Sequence, residues 1–189
     1  MEGASVFRRA FHLASPIFLG YYLVPDVLAP NVTKANVALL FLGTAWCIEI
    51  ARIALSLHLF GMRAYEGRRV SAYAQGSVGL AVGLFLIVDP GIVVPVFVGM
   101  AWIDPLAAWA RKQGWPRMSA GAAYFGLFVA IELLMDSFAP LHAAAYAAAA
   151  TMGALLVEGP HFDQIDDDLL MQVVPYAVVY ALVALFGSG

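Results

Sequence analysis

The sequence predicts an all-α integral membrane protein, built as a single polytopic domain over residues 1–189. Composition comes first: 62% of the residues are apolar and only 12% charged, against roughly 25% charged in soluble domains. Mean hydropathy is +0.83. A soluble domain of this size cannot bury so much apolar surface behind a charged exterior, which excludes a soluble enzyme, a disordered chain and a nucleic-acid binder. The second observation is a series of about seven apolar stretches divided by polar, Pro or Gly residues. The third is the placement of the basic residues, which fall almost entirely on one side of these stretches.

The stretches run over residues 10–28, 37–59, 72–88, 92–110, 120–134, 141–157 and 171–186. A helix needs roughly 17–25 residues to cross a hydrocarbon core, so the fifth and seventh are short and stand upright or borrow interfacial residues. Short connectors make successive helices antiparallel. With the N-terminus in the cytoplasm, nine of the ten basic residues lie inside or near the inner membrane face, and only Lys34 lies outside, as the positive-inside rule expects. The expected location is a multi-pass cell-membrane protein with its chemistry facing the cytoplasm. Gly79 and Gly83, and the alanine run 143–150, are small-residue patterns suited to close helix packing. Cys47 is the lone cysteine. It permits no intrachain disulfide, and its apolar surroundings suggest a small core residue.

Ionisable groups within a span cost about 2.5–3.5 kcal/mol on insertion scales and therefore need a reason. Asp26, Lys34, Asp89 and Asp136 sit in outer turns and read as ordinary loop residues. The inner face collects the rest. Arg8, Arg9 and His12 share one helical region, either as topology anchors or as a phosphate clamp. Glu49 and Arg52 are three apart within the second stretch and can neutralise each other as a structural ion pair near a site. Arg63, Arg68 and Arg69 suit lipid headgroups or a polyanion. Asp104, followed by Arg111, Lys112 and Arg117, suits a magnesium–triphosphate site, with carboxylates on the hard cation and basic groups on phosphate oxygens. Glu158, Asp163, Asp166, Asp167 and Asp168 crowd into eleven residues, a density that repels itself unless a cation or a basic partner neutralises it. Magnesium-dependent chemistry between a phosphorylated cytosolic donor and a lipid is the layout this pattern supports.

Taken in order, these residues resemble the polyprenol kinase family. Arg8-Arg9-Ala-Phe-His12 resembles its N-terminal motif, and Glu49-x-x-Arg52 its second-span motif. Arg63-x-x-Glu66-x-x-Arg69-x-Ser71 resembles the following cytosolic loop, and Asp104-x-x-Ala107 the start of its nucleotide segment. Glu158 after the alanine-rich helix, and Asp166-Asp167-Asp168-Leu169 before Pro175, resemble its last two elements. Two departures stand out. The family's glycine-rich loop is reduced here to Arg111-Lys112-Gln-Gly114, and its later Lys-Ser-x-Glu-Gly-Ser segment to Arg117-Met-Ser-Ala-Gly121.

The resemblance implies a cytidylyltransferase-like helical bundle that transfers the γ-phosphate of CTP to an isoprenoid or other lipid alcohol. In that reading Asp104, Asp167 and Glu158 are catalytic, and Asp104, Asp166, Asp167 and Asp168 hold Mg2+. Arg8, Arg9, His12, Arg63, Arg69, Lys112 and Arg117 bind nucleotide and phosphate. The implied partners are CTP, a lipid alcohol and membrane lipids, with a homo-oligomer compatible and no nucleic acid. A CTP:phosphatidate-type cytidylyltransferase making a CDP-lipid, a transporter, and a non-catalytic scaffold are the alternatives.

Overall fold

The computed structural model describes residues 2–62, 66, 67, 69–158 and 165–187. Arg63, Arg68 and Asp163, singled out in the sequence, lie outside the described residues. Seven α-helices account for most of the chain: α1 Glu2–Ala14, α2 Lys34–Ala54, α3 Ala72–Val82, α4 Pro90–Lys112, α5 Met118–Met135, α6 Pro140–Val157 and α7 Asp167–Phe186. Five of them, α2 and α4 to α7, are long and apolar enough to cross a membrane; the apolar stretch Ala72–Ile87, comprising α3 and a π turn, is shorter.

The first apolar stretch departs from a single helix over 10–28. Here α1 begins at Glu2, and the chain tightens into a 3-10 segment, Ser15–Leu23, with Pro16 in its first turn. Pro16 has no N–H to give the preceding turn, so the α pattern cannot simply continue through it. The next connection is not helical either. Val27–Ala29 and Val32–Thr33 pair as a small antiparallel hairpin. Its turn residues are Pro30 and Asn31, and Asn31 has φ 63°, which suits the second central position of a type II turn.

Local chemistry sets most helix starts. Thr33, Ser71, Asp89 and Asp166 each cap the following helix by accepting a backbone N–H, satisfying donors a helix leaves unpaired. Pro90 and Pro140 sit in first turns, where a missing N–H costs nothing. Pro95, Pro105 and Pro175 lie inside helices, a placement apolar bundles tolerate when neighbouring protein meets the freed carbonyls.

The bundle is organised around α4, of whose most apolar window 67% is buried, whereas α2 is only 11% buried. Helices α4, α5, α6 and α7 form a closed ring; α3 packs on α7 and α1 on α4, while α2 meets the bundle chiefly along α3. Small residues allow the close approach. Ala143, Ala147, Ala150 and Ala154 form the buried stripe of α6. Gly83 seats the Tyr176 hydroxyl, Gly79 the Gln172 amide and Gly99 the Tyr124 ring, so closely that a Cβ at any of the three would come within 3 Å. Cys47 is exposed rather than a core residue, because α2 stands apart from the ring and turns most of its surface outward.

One buried carboxylate escaped the sequence reading. Glu132, near the end of α5, is 1% exposed, and neither of its oxygens has a partner among the described residues.

Two outcomes follow from this packing. Gly99→Val forces a side chain into the Tyr124 ring and should cost about 1–3 kcal/mol, read as a lower unfolding temperature in detergent. Glu132→Leu removes an unpartnered buried acid and should stabilise the protein by about 1–3 kcal/mol, read in the same assay.

Candidate functional site

The polar chemistry gathers at one end of the bundle, where α1, α4, α7 and the connection before α3 meet. Arg8 and His12 are one turn apart on α1 and both face Asp168. Arg8 Nη2 is 3.7 Å and His12 Nε2 3.2 Å from Asp168 Oδ2. Arg8 also donates to Glu66 Oε1 at 3.3 Å. Asp104, half-buried on α4, joins them: ligating atoms of His12, Asp104 and Asp168 lie within 4.8 Å of one another.

The start of α7 supplies the acids. Asp166 accepts the Asp168 N–H at 3.2 Å, and its own N–H donates to Gln75 Oε1 at 2.7 Å. Arg69 Nη2 is 3.7 Å from Asp166 Oδ2. The carboxylates of Asp166, Asp167 and Asp168 also lie within 4.8 Å of one another. A helix N-terminus favours negative charge, but three adjacent acids exceed what one helix end offsets. Burial first, then the hydrogen bond with Asp167 and the charges of Asp168 and Asp167, push the Asp166 carboxyl up to about 7. The Asp166–Asp168 set is all oxygen, the donor type that suits a hard divalent cation, whereas the first set includes the His12 imidazole nitrogen.

Gln172, one turn along α7, donates to Asp168 O at 2.9 Å and to Gly76 O at 3.2 Å. It thereby locks the acidic turn to α3. Gln75 and Gln172 were not foreseen as site residues; an amide inside an otherwise apolar helix is the signal that marks both.

The Glu49–Arg52 pair is the frame on which the connection before α3 folds. Arg52 is 1% exposed. Its Nε and Nη2 donate to the two Glu49 oxygens at 2.9 and 2.8 Å. Its remaining N–H groups reach the carbonyls of Leu57 at 3.3 Å, Glu66 at 3.1 Å and Arg69 at 2.6 Å. All five guanidinium donors are therefore used. Glu49 Oε1 also accepts the Ser71 N–H at 2.6 Å.

Several expected site residues lie elsewhere. Glu158 is bound by Arg111 Nη1 and lies 3.9 Å from Arg117 Nε, and Arg117 Nη2 also donates to the carbonyls of Leu155 and Glu158. This second cluster ties the α4–α5 turn to the end of α6. It is close enough for Glu158 to add to the negative field at Asp104, yet Glu158 and Arg117 are engaged with each other. Arg9 and Lys112 are exposed. Arg9 follows Arg8 by one residue, so the helix turns it about 100° away. Arg63 is outside the described residues.

A groove of about 760 Å³ opens from this polar end. His12, Glu49, Ser71 and Asp168 line that end, and α2 and α3 form its walls toward Lys34 and Phe85. No family model, no curated protein and no solved structure matches this chain.

Replacing Arg52 tests the frame. Arg52→Met leaves Glu49 buried without its partner and should destabilise the protein by about 3–5 kcal/mol. The double variant Arg52→Met/Glu49→Leu should recover part of that loss, which thermal unfolding of the purified proteins measures.

Proposed function

We propose that the protein is a CTP-dependent kinase that transfers a γ-phosphate to a lipid alcohol at the cytoplasmic membrane face. The observation that carries this reading is one continuous feature: an apolar groove whose polar end is His12 and Asp168, beside Asp104 and the acidic turn of α7. A lipid lying in the groove would present its headgroup to groups suited to phosphoryl transfer. The resemblance of Arg8–His12, Glu49–Arg52, Asp104 and Asp166–Asp168 to the polyprenol kinase motifs supports the same reading.

In the proposed reaction the alcohol oxygen attacks the γ-phosphorus of CTP. The bond to the β,γ-bridging oxygen breaks, CDP leaves, and the hydroxyl proton passes to the His12–Asp168 pair. Phosphoryl transfer is chiefly positioning and charge neutralisation. Arg8 and Arg69, held beside acids at the site, would exchange those partners for phosphate oxygens. Asp166, Asp167 and Asp168 would supply oxygen donors for Mg2+, since their carboxylate oxygens lie within 4.8 Å of one another, and Asp104 lies as near to Asp168. Bound there, the ion would neutralise charge on the β- and γ-phosphates. Glu158 is assigned no proton role, because Arg111 and Arg117 occupy it.

The test is incubation of the purified protein with γ-labelled CTP, Mg2+ and geranylgeraniol. Label should enter the lipid, and Asp168→Asn or Asp104→Asn should lower the rate about 10²–10⁴-fold. Transfer of α-label instead would make the protein a cytidylyltransferase; absence of any transfer with a panel of alcohols would sink the kinase reading.

A further inference from the structure

The lining of the groove runs from His12 and Asp168 to Lys34, Val24 and Leu28. Its α2 wall includes a single stripe of Lys34, Ala38, Leu42, Ala45 and Glu49, spaced so that a helix places all five on one face. From Lys34 to Glu49 that stripe rises about 22 Å. Half of a bilayer's hydrocarbon core is only about 15 Å. A chain laid along the stripe from the polar end would therefore pass the bilayer midplane.

The two ends differ chemically. At the polar end Glu49 is taken up by Arg52 and the Ser71 N–H, so a headgroup meets His12 and Asp168. At the far end Lys34 is fixed by three partners. Its Nζ is 2.9 Å from Asp26 Oδ1, 3.3 Å from Val24 O and 4.7 Å from the centre of the Tyr21 ring. An apolar chain pushed against that ammonium would strip its remaining water without replacing the hydrogen bonds, which is unfavourable. The volume, about 760 Å³, belongs to the range of roughly 300–1,000 Å³ that takes one drug-sized ligand. It suits one chain rather than two.

We propose that this groove gauges the length of a single-chain primary alcohol. The hydroxyl sits at His12 and Asp168, the chain runs past Ala45 and Ala38, and its end meets Lys34. The choice of a hydroxyl headgroup rests on the kinase reading; the gauge itself rests on the groove.

Alkylation of introduced cysteines tests it without any turnover. The only native cysteine is replaced, Cys47→Ser, and Ala45→Cys or Ala38→Cys is added singly to the full-length protein in lipid nanodiscs. The probes are farnesol, geranylgeraniol, solanesol and dioleoylglycerol, and the readout is the rate of N-ethylmaleimide labelling. At an alcohol concentration about ten times its Kd, an occupied position should label about tenfold more slowly. Farnesol should protect Ala45→Cys and leave Ala38→Cys unprotected, whereas geranylgeraniol should protect both. Solanesol, too long to end before Lys34, should protect weakly until Lys34→Met is added. Equal protection of both positions by farnesol, tenfold protection by dioleoylglycerol, or no protection by any alcohol overturns the gauge. The cysteine pair reads length even if the Lys34 variant fails to fold. Graded protection without label transfer from CTP would refute the kinase reading and keep the gauge; transfer without graded protection would do the reverse.

Discussion

The buried guanidinium of Arg52 is the constraint on which the polar end of the bundle depends. A charge that is 1% exposed inside an apolar bundle is tolerable only if it is paired and every donor is met. Arg52 meets that demand with Glu49 on its own helix and with three carbonyls of the following connection. The consequence is architectural. Leu57, Glu66 and Arg69, in a connection that would otherwise be solvated, are held against the helix ends. Glu66 and Arg69 contribute their carbonyls to Arg52 and their side chains to Arg8 and Asp166. One satisfied ion pair thus positions parts of the neighbouring site without belonging to it.

Around that frame the balance of charge is uneven. Among the described residues, Glu49, Glu66, Asp104 and Asp166 to Asp168 face Arg8, Arg52 and Arg69, with His12 beside them. Carboxylates therefore outnumber guanidiniums, and Arg52 is already committed to structure. The acids are densest at Asp104 and the first turn of α7, where burial makes negative charge expensive. In the proposed reaction the divalent cation would offset part of that excess, and Arg8 and Arg69 would have to offset the phosphates. The second basic cluster cannot do this work, because Arg111 and Arg117 spend their charge on Glu158 and the end of α6.

Much of this was legible in the sequence, and the reasons for what was not are physical. Hydropathy located the apolar helices because burial in lipid demands continuous apolar length. The spacing of Glu49 and Arg52 predicted their pairing because three residues return to one helical face. Arg8 and Arg9 illustrate the limit: both looked equally suited to a phosphate, and only the phase of α1 against α4 brings Arg8 inward and leaves Arg9 exposed. The contacts of Glu158 were hidden for a tertiary reason, since its arginine partners come from the α4–α5 region some forty residues away. The 3-10 segment and the hairpin interrupt what composition alone makes a single apolar span. Cys47 was misplaced because hydropathy does not distinguish a helix inside the bundle from one standing beside it.

That last distinction explains how a tightly packed chain keeps a slot open. At Gly79, Gly83 and Gly99 neighbouring side chains close in until an added Cβ would come within 3 Å. Along α2 the opposite holds. The helix is tied at one end by Arg52 and at the other by the Thr33 cap, the hairpin and the Lys34–Asp26 pair. Between those ties the groove is lined by Val37, Phe41, Leu42 and Ile48 and by two small residues, Ala38 and Ala45. A larger side chain at either position would fill the space and gain apolar contact area, worth about 25 cal/mol per Å². The gap thus forgoes packing that a purely structural helix would take, and its polar terminus lies at the same end of the bundle as the acids and arginines.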